Sequence, residues 1–179
     1  MSGAEFSIIK LASVTLTSDK QDRIEPEFER YASATNYVIK VILKEHFSSG
    51  SKTVEYIREE FSKRFDMREQ YLRDVVKTAW VEVSRHRRLA EMVRSMRDKA
   101  PFFREGRLIF SHPIIKVQEK GLNLETQDRE RMPIPFDKRS RNRVADRLRE
   151  LVTGRKKQGR VRLTWNKEGY MSIDIRVDA

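Results

Sequence analysis

The chain of 179 residues contains no cysteine. Disulfides, thiolate nucleophiles and cysteine-based zinc sites are therefore excluded, and the absence suits a reducing compartment. Histidine is scarce. His46, His86 and His112 stand far apart in different segments, and none has a second ligand at metal spacing. The seven glycines are scattered singly, so no Gly-rich loop is available to cradle a phosphate. There is no G-x-S-x-G elbow, no H-E-x-x-H pair and no plausible nucleophile with its base. Asp174 and Asp178 have no visible partner carboxylates for a two-metal site. No apolar stretch reaches membrane-spanning length, and Met1 to Phe6 carries no basic n-region. The expectation is a soluble intracellular protein with no signal peptide, no catalysis, no metal, no cofactor and no small-molecule substrate.

What is abundant is positive charge. Lys and Arg number 38 against 27 Asp and Glu, a net charge of +11. The surplus is focused. From Asp137 to Arg162 eleven basic residues face only three acids, Asp137, Asp146 and Glu150. A concentrated field of that sign attracts a polyanion, and each phosphate neutralised releases a counterion. An anionic membrane is less suited, because no segment pairs a basic face with a convincing exposed Trp/Phe/Leu face. The alternative use of such charge is a solvated helix face with no specific role.

Hydrophobic periodicity divides the chain. Phe6 to Thr17 alternates and reads as a strand, with Phe6, Ile8, Ala12, Val14 and Leu16 on the apolar face and Lys10 as the exception. The period then lengthens. Pro26 marks the first turn of a helix through Phe28, Tyr31, Thr35, Val38 and Ile42. A second helix follows Ser51 or Thr53. Asp66 is placed as the N-cap of a long third helix that Pro101 stops. Arg107 to Phe110, Ile114 to Val117, Gly121 to Leu124 and Met132 to Phe136 are short strands. Asp137 to Val152 is a basic helix with Gly154 as its stop. Arg160 to Trp165 and Tyr170 to Val177 form a hairpin around Asn166-Lys167-Glu168-Gly169. A lone first strand needs a partner for its backbone groups, so it returns to the C-terminal sheet. The predicted fold is α+β: a β-barrel domain from residues 1–20 and 100–179, with a helical domain, residues 21–99, inserted after the first strand.

The candidate phosphate-binding residues are Lys138, Arg139, Arg141, Arg143, Arg147, Arg155, Lys156, Lys157, Arg160 and Arg162. A second group is Arg85, Arg87 and Arg88 on the third helix, with Arg94 and Arg97 further on. Phe102 and Phe103, beside Arg104 and Arg107, are candidates for stacking on an unpaired base, and equally for covering the barrel end. Trp80 lies at helical spacing and reads as core.

Three functional readings follow from the residues: a nucleic-acid-binding module without catalysis, a duplex-DNA regulator using the second and third helices as a helix-turn-helix, and a basic adaptor for an acidic protein.

The order of these pieces resembles the N-terminal half of the TnpB (OrfB) proteins of insertion sequences, relatives of type V CRISPR effectors. The marks are a starting strand, the helix YASATNYVIK with Tyr31 and Asn36, and a helical block. Then come Pro101-Phe102-Phe103 opening short strands, the segment MPIPF, and the hairpin RVRLTWNKEGYMSIDIRV. The resemblance spans nearly the whole chain. It implies a wedge domain, an oligonucleotide-binding-like β-barrel, with a helical recognition domain inserted after its first strand. It also implies contact with a guide-RNA scaffold and with RNA-guided DNA, in a prokaryotic cytoplasm or nucleoid. The RuvC-like nuclease of that family would begin about where the sequence ends at Ala179. Binding without cleavage is thus expected of this chain, with any cleavage left to a separate nuclease subunit or domain.

Overall fold

The computed structural model describes residues 5–179. Residues 1–4, part of the N-terminal segment read above for a leader, lie outside them. The elements in chain order are β1 (Phe6–Ala12), α1 (Ser18–Glu45), α2 (Gly50–Arg64), α3 (Glu69–Met92), β2 (Arg107–Phe110), β3 (Ile115–Val117), β4 (Gly121–Glu125), β5 (Arg131–Pro135), α4 (Lys138–Arg143), α5 (Ala145–Val152), β6 (Lys157–Trp165) and β7 (Met171–Asp178). A single 3-10 turn, Arg94–Met96, follows α3. The α+β class holds, with a block of helices inserted after the first strand. The chain divides into two compact units. One runs to Glu27 and resumes at Gly106–Ala179; the other is Phe28–Glu105.

In the first unit the strands build two antiparallel sheets, ordered β1-β7-β6-β2 and β3-β4-β5. The first strand does return to the last: Phe6 pairs with Asp178 and Ala12 with Ser172. Its buried parity is opposite to the predicted one. Ile9 and Leu11 enter the core beside Ile175 and Ile173, whereas Phe6 is 56% exposed and Ile8 39%. Lys10 stands mid-strand on the even side, and its ammonium belongs in water, so that side faces out. Core positions on the partner strands follow the same alternation, through Leu108, Phe110, Val161, Leu163, Met171, Ile173 and Ile175.

The strands do not close into a barrel. On one side a single bridge, Ser13 to Phe136, links the end of β1 to the end of β5. On the other, the Gln158 side chain stands in for a strand. Its Oε1 accepts from Val117 N at 3.2 Å and its Nε2 donates to Ile115 O at 2.9 Å. The β6–β7 register breaks between Gln158 and Val161, and this bulge interrupts the ladder there. Gly121 is required where β4 meets β5: a Cβ there would fall 2.7 Å from Ile134 O.

Helix boundaries also differ from expectation, and α3 ends at Met92, before Pro101 is reached. Helix α1 begins at Ser18, eight residues before Pro26, because Thr17 caps it: Lys20 N–H donates to Thr17 Oγ1 at 3.3 Å. Pro26 sits inside the helix on its exposed side, where water can satisfy the Asp22 carbonyl. Helix α3 is not capped by Asp66; it begins after Arg68, without a side-chain cap. Asp66 is buried instead, its carboxylate 2.8 Å from Arg68 and 3.4 Å from Arg30. The predicted helix at 137–152 breaks into α4 and α5 at Val144.

The helical unit packs around Tyr31, Phe61, Tyr71 and Phe103, all fully buried. Tyr31 meets Phe103 edge-on at 5.5 Å and its hydroxyl lies 2.7 Å from Thr78 Oγ1. Trp80 donates to Thr53 Oγ1 at 3.1 Å, so its polar edge is satisfied within the bundle.

Candidate nucleic-acid interface

Helices α4 and α5 run along the open edge of β1, the outer strand of its sheet. Asp137 starts α4, its carboxylate accepting from Ser140 N at 3.1 Å. Its own N–H donates to Ala12 O at 2.8 Å, and Ala12 N donates to Ser140 Oγ at 3.2 Å. At the other end of the strand Arg147 donates to Ser7 Oγ at 2.8 Å and to Ile8 O at 3.3 Å. Leu148 is buried, and Gly154, at φ +81, ends α5. The pair thus satisfies edge groups that would otherwise invite another strand.

These anchors sort the predicted cations. Arg147 is committed to β1. Arg149, outside the predicted set, reaches Asp146 at 3.7 Å and Glu119 at 3.9 Å, both exposed contacts of little weight. Lys138, Arg139, Arg141, Arg143, Arg155, Lys156 and Lys157 have no ion-pair partner among the described residues. They stand on α4 and on the turn from α5 into β6.

Arg107, Arg160 and Arg162 occupy the outer face of the larger sheet. Register brings Ile109, Arg162, Asp174 and Lys10 into one row across β2, β6, β7 and β1. Arg107 stands opposite Thr164 in the neighbouring row. Two cations on this face were missed from the sequence, Lys10 and Arg176. Arg176 was visible in principle, since it shares strand parity with Asp174, whereas the predicted facing of the first strand turned Lys10 inward. Not all of this charge is available. Arg162 Nη2 lies 2.6 Å from Asp174, and Arg176 bonds Asp178 at 3.0 Å while covering the Phe6 ring at 4.2 Å. Arg160 reaches Ile109 O at 3.4 Å. Five cations on the face against two carboxylates still leave it positive.

On the helical unit, Arg87, Arg88, Arg94 and Arg104 are exposed. Arg85 pairs with the buried Glu82 at 2.7 Å, and Arg97 donates to Ala90 O at 3.0 Å. The two phenylalanines part company. Phe102 is 66% exposed. Phe103 is fully buried against Tyr31 and is withdrawn as a stacking residue. Asn36 fixes the difference: its Nδ2 donates to Phe103 O at 2.9 Å and its Oδ1 accepts from Phe103 N at 2.8 Å.

Titration shifts lie away from these surfaces. The Arg58 guanidinium holds the Glu69 carboxyl below its usual range, the Thr126 hydroxyl does the same for Asp128, and burial raises the Tyr37 phenol. Among the described residues no group of three His, Asp or Glu side chains is placed to hold a metal ion, and no helix is long and apolar enough to cross a membrane.

No protein-family model matches the chain, and no curated protein matches it. It is similar to a chain in a cryo-EM structure of the Cas12f1–sgRNA–target DNA complex, with 10% identity and a TM-score of 0.44, over 90% of this chain and 42% of that one. The present chain thus spans less than half the length of that chain.

Proposed function

We propose that this chain is a nucleic-acid-binding module, with structured RNA its first ligand and RNA-guided DNA a second, and that its described elements bind without catalysing. The observation that carries the reading is the set of seven cations from Lys138 to Lys157 with neither an ion pair nor a side-chain hydrogen bond among the described residues, four on α4, which is fixed to the β1 edge, and three where α5 turns into β6. Charges held in place by a rigid support lose little entropy on meeting phosphates. Preference for RNA rests on the resemblance of the sequence to the wedge and recognition parts of TnpB proteins. A helix-turn-helix reading is less favoured. The first turns of α3 bury Tyr71, Leu72, Asp74, Val75 and Val76, where a recognition helix would present side chains to base edges.

The test is binding of a structured RNA, a duplex DNA and an acidic polypeptide to the wild-type chain and to a variant with Arg155, Lys156 and Lys157 all changed to Gln. The variant should weaken RNA binding alike across sequences, since phosphate contacts carry no base information. Strong preference for one duplex sequence would favour the regulator. Tight binding of the polypeptide, with no affinity for either nucleic acid, would refute the proposal in favour of an adaptor.

A further inference from the structure

We propose that the helical unit carries a separate contact, a groove that takes an unpaired base of a single-stranded segment; this rests on the nucleic-acid reading above and adds the state of the strand it meets. The groove is open, about 240 Å³, and lies between the last turns of α3 and the segment leading to β2. Its lining combines two kinds of side chain. Phe102 and Leu89 supply exposed apolar surface, 66% and 41% accessible. Lys99 and Arg104 supply net positive charge, while Arg85 is paired with Glu82, which also lines the groove.

Three observations favour a base over other occupants. First, Phe102 is held out by design of the backbone around it. Phe103 next to it is locked by two hydrogen bonds to Asn36 and by the Tyr31 ring, and Pro101 restricts the chain before it. A large aromatic presented on a fixed segment is a stacking platform with little ordering cost. Second, Lys99 and Arg104 have no ion-pair partner among the described residues, so two cations flank the ring on its own segment. Third, Glu82 is buried beneath and fixes Arg85 at 2.7 Å, orienting a guanidinium at the rim. An aromatic plane with cations around it matches a base joined to phosphates on both sides. A duplex keeps its base faces stacked and cannot use the ring.

The experiment uses the whole chain and a short single-stranded oligonucleotide containing the fluorescent base 2-aminopurine. Stacking on Phe102 should quench its emission on binding. Phe102→Ala should abolish the quench and lower single-strand affinity by roughly 5- to 150-fold, the range that loss of one base–aromatic stack gives. Phe102→Trp should restore both, and affinity for a blunt duplex should not change. Because Phe102 is largely exposed, an unchanged melting temperature will confirm that the Ala variant folds. Unaltered single-strand binding by Phe102→Ala would overturn the groove, as would equal losses on single strand and duplex. So would an acidic peptide that binds with the same dependence on Phe102. If the Arg155/Lys156/Lys157 variant weakens binding while Phe102→Ala does not, the groove alone fails. If the wild-type chain binds no nucleic acid, both readings fail.

Discussion

Changing Arg155, Lys156 and Lys157 to Gln should alter the salt dependence of nucleic-acid binding by an amount that the structure sets in advance. Seven cations between Lys138 and Lys157 make neither an ion pair nor a side-chain hydrogen bond among the described residues. If each meets one phosphate, log K should fall against log salt with a slope of about −6 on a duplex and about −5 on a single strand. Removing three contacts should flatten the slope by about 3 or about 2 respectively. Between roughly 50 and 200 mM salt, the advantage of wild type over variant should then shrink by about 20- to 40-fold. Fluorescence anisotropy across a salt series measures this directly. Arg147→Gln is the control. That guanidinium is anchored on Ser7 and Ile8, which leave its charge in place, so its loss should lower stability and change the slope by no more than one contact. Arg162→Gln should change the slope by less than a full contact, because Asp174 already neutralises it. A triple variant with weaker binding but an unchanged slope would refute the phosphate assignment, since the lost contacts would then not be electrostatic.

Three further outcomes concern stability and are read from chemical denaturation. Asp66→Ala should cost about 3–5 kcal/mol, because it leaves Arg68 buried and Arg30 mostly buried without their shared carboxylate; a loss under about 1 kcal/mol would show that the cluster is not holding the α2–α3 junction. Gly121→Ala should cost about 1–3 kcal/mol, since the Ile134 and Pro135 backbone, not a flexible side chain, meets the new Cβ. Glu69 links α3 to Arg58 on α2 and its carboxyl is held below the usual range, so its contribution is present above the unfolded value near 4.5 and disappears as pH falls through the lower folded value. Glu69→Gln should therefore destabilise slightly at neutral pH, by under about 1 kcal/mol for so exposed a pair, and not at all in strong acid; a difference that persists at low pH would contradict that cause.

The C-terminal hairpin was legible because both its strands alternate apolar and polar residues around a turn signal, and the four short strands because each is a short apolar piece between Gly, Pro, His and charged turns. The first strand was legible as a strand but not in its facing. Phe6, Ile8 and Val14 outweigh Ile9 and Leu11 in local hydrophobicity, yet pairing with β7 over 160 residues away decides which set meets Ile173 and Ile175. Lys10 was the local clue. The start of α1 was hidden by giving weight to Pro26 over Thr17, whose hydroxyl makes the cap. Asp66 has the right residue type for a cap, but a carboxylate between two arginines forms stronger charged hydrogen bonds than it would with helix N–H groups alone. Phe102 and Phe103 are chemically identical neighbours, and only Asn36, distant in sequence, fixes which one turns inward.

For the candidate interface, counting charges along the sequence located the basic segment but could not sort its members by role. The arginines that hold the fold find partners far away: Arg147 on β1, Arg162 on β7. Those partners appear only once register is known. The same register adds Lys10 and Arg176 to the outer sheet face, although neither lies in the dense segment. The cations without partners are the ones that no folding requirement explains. They stand on α4 and on the turn that follows α5, and the attachment of these helices to β1 is made by other groups, namely Asp137, Ser140, Arg147 and the backbone of Ala12. Support and charge are therefore carried by different side chains. That separation lets the free cations be replaced without removing any bond that holds α4 and α5 to β1, so a loss of binding in such variants can be assigned to the charges themselves.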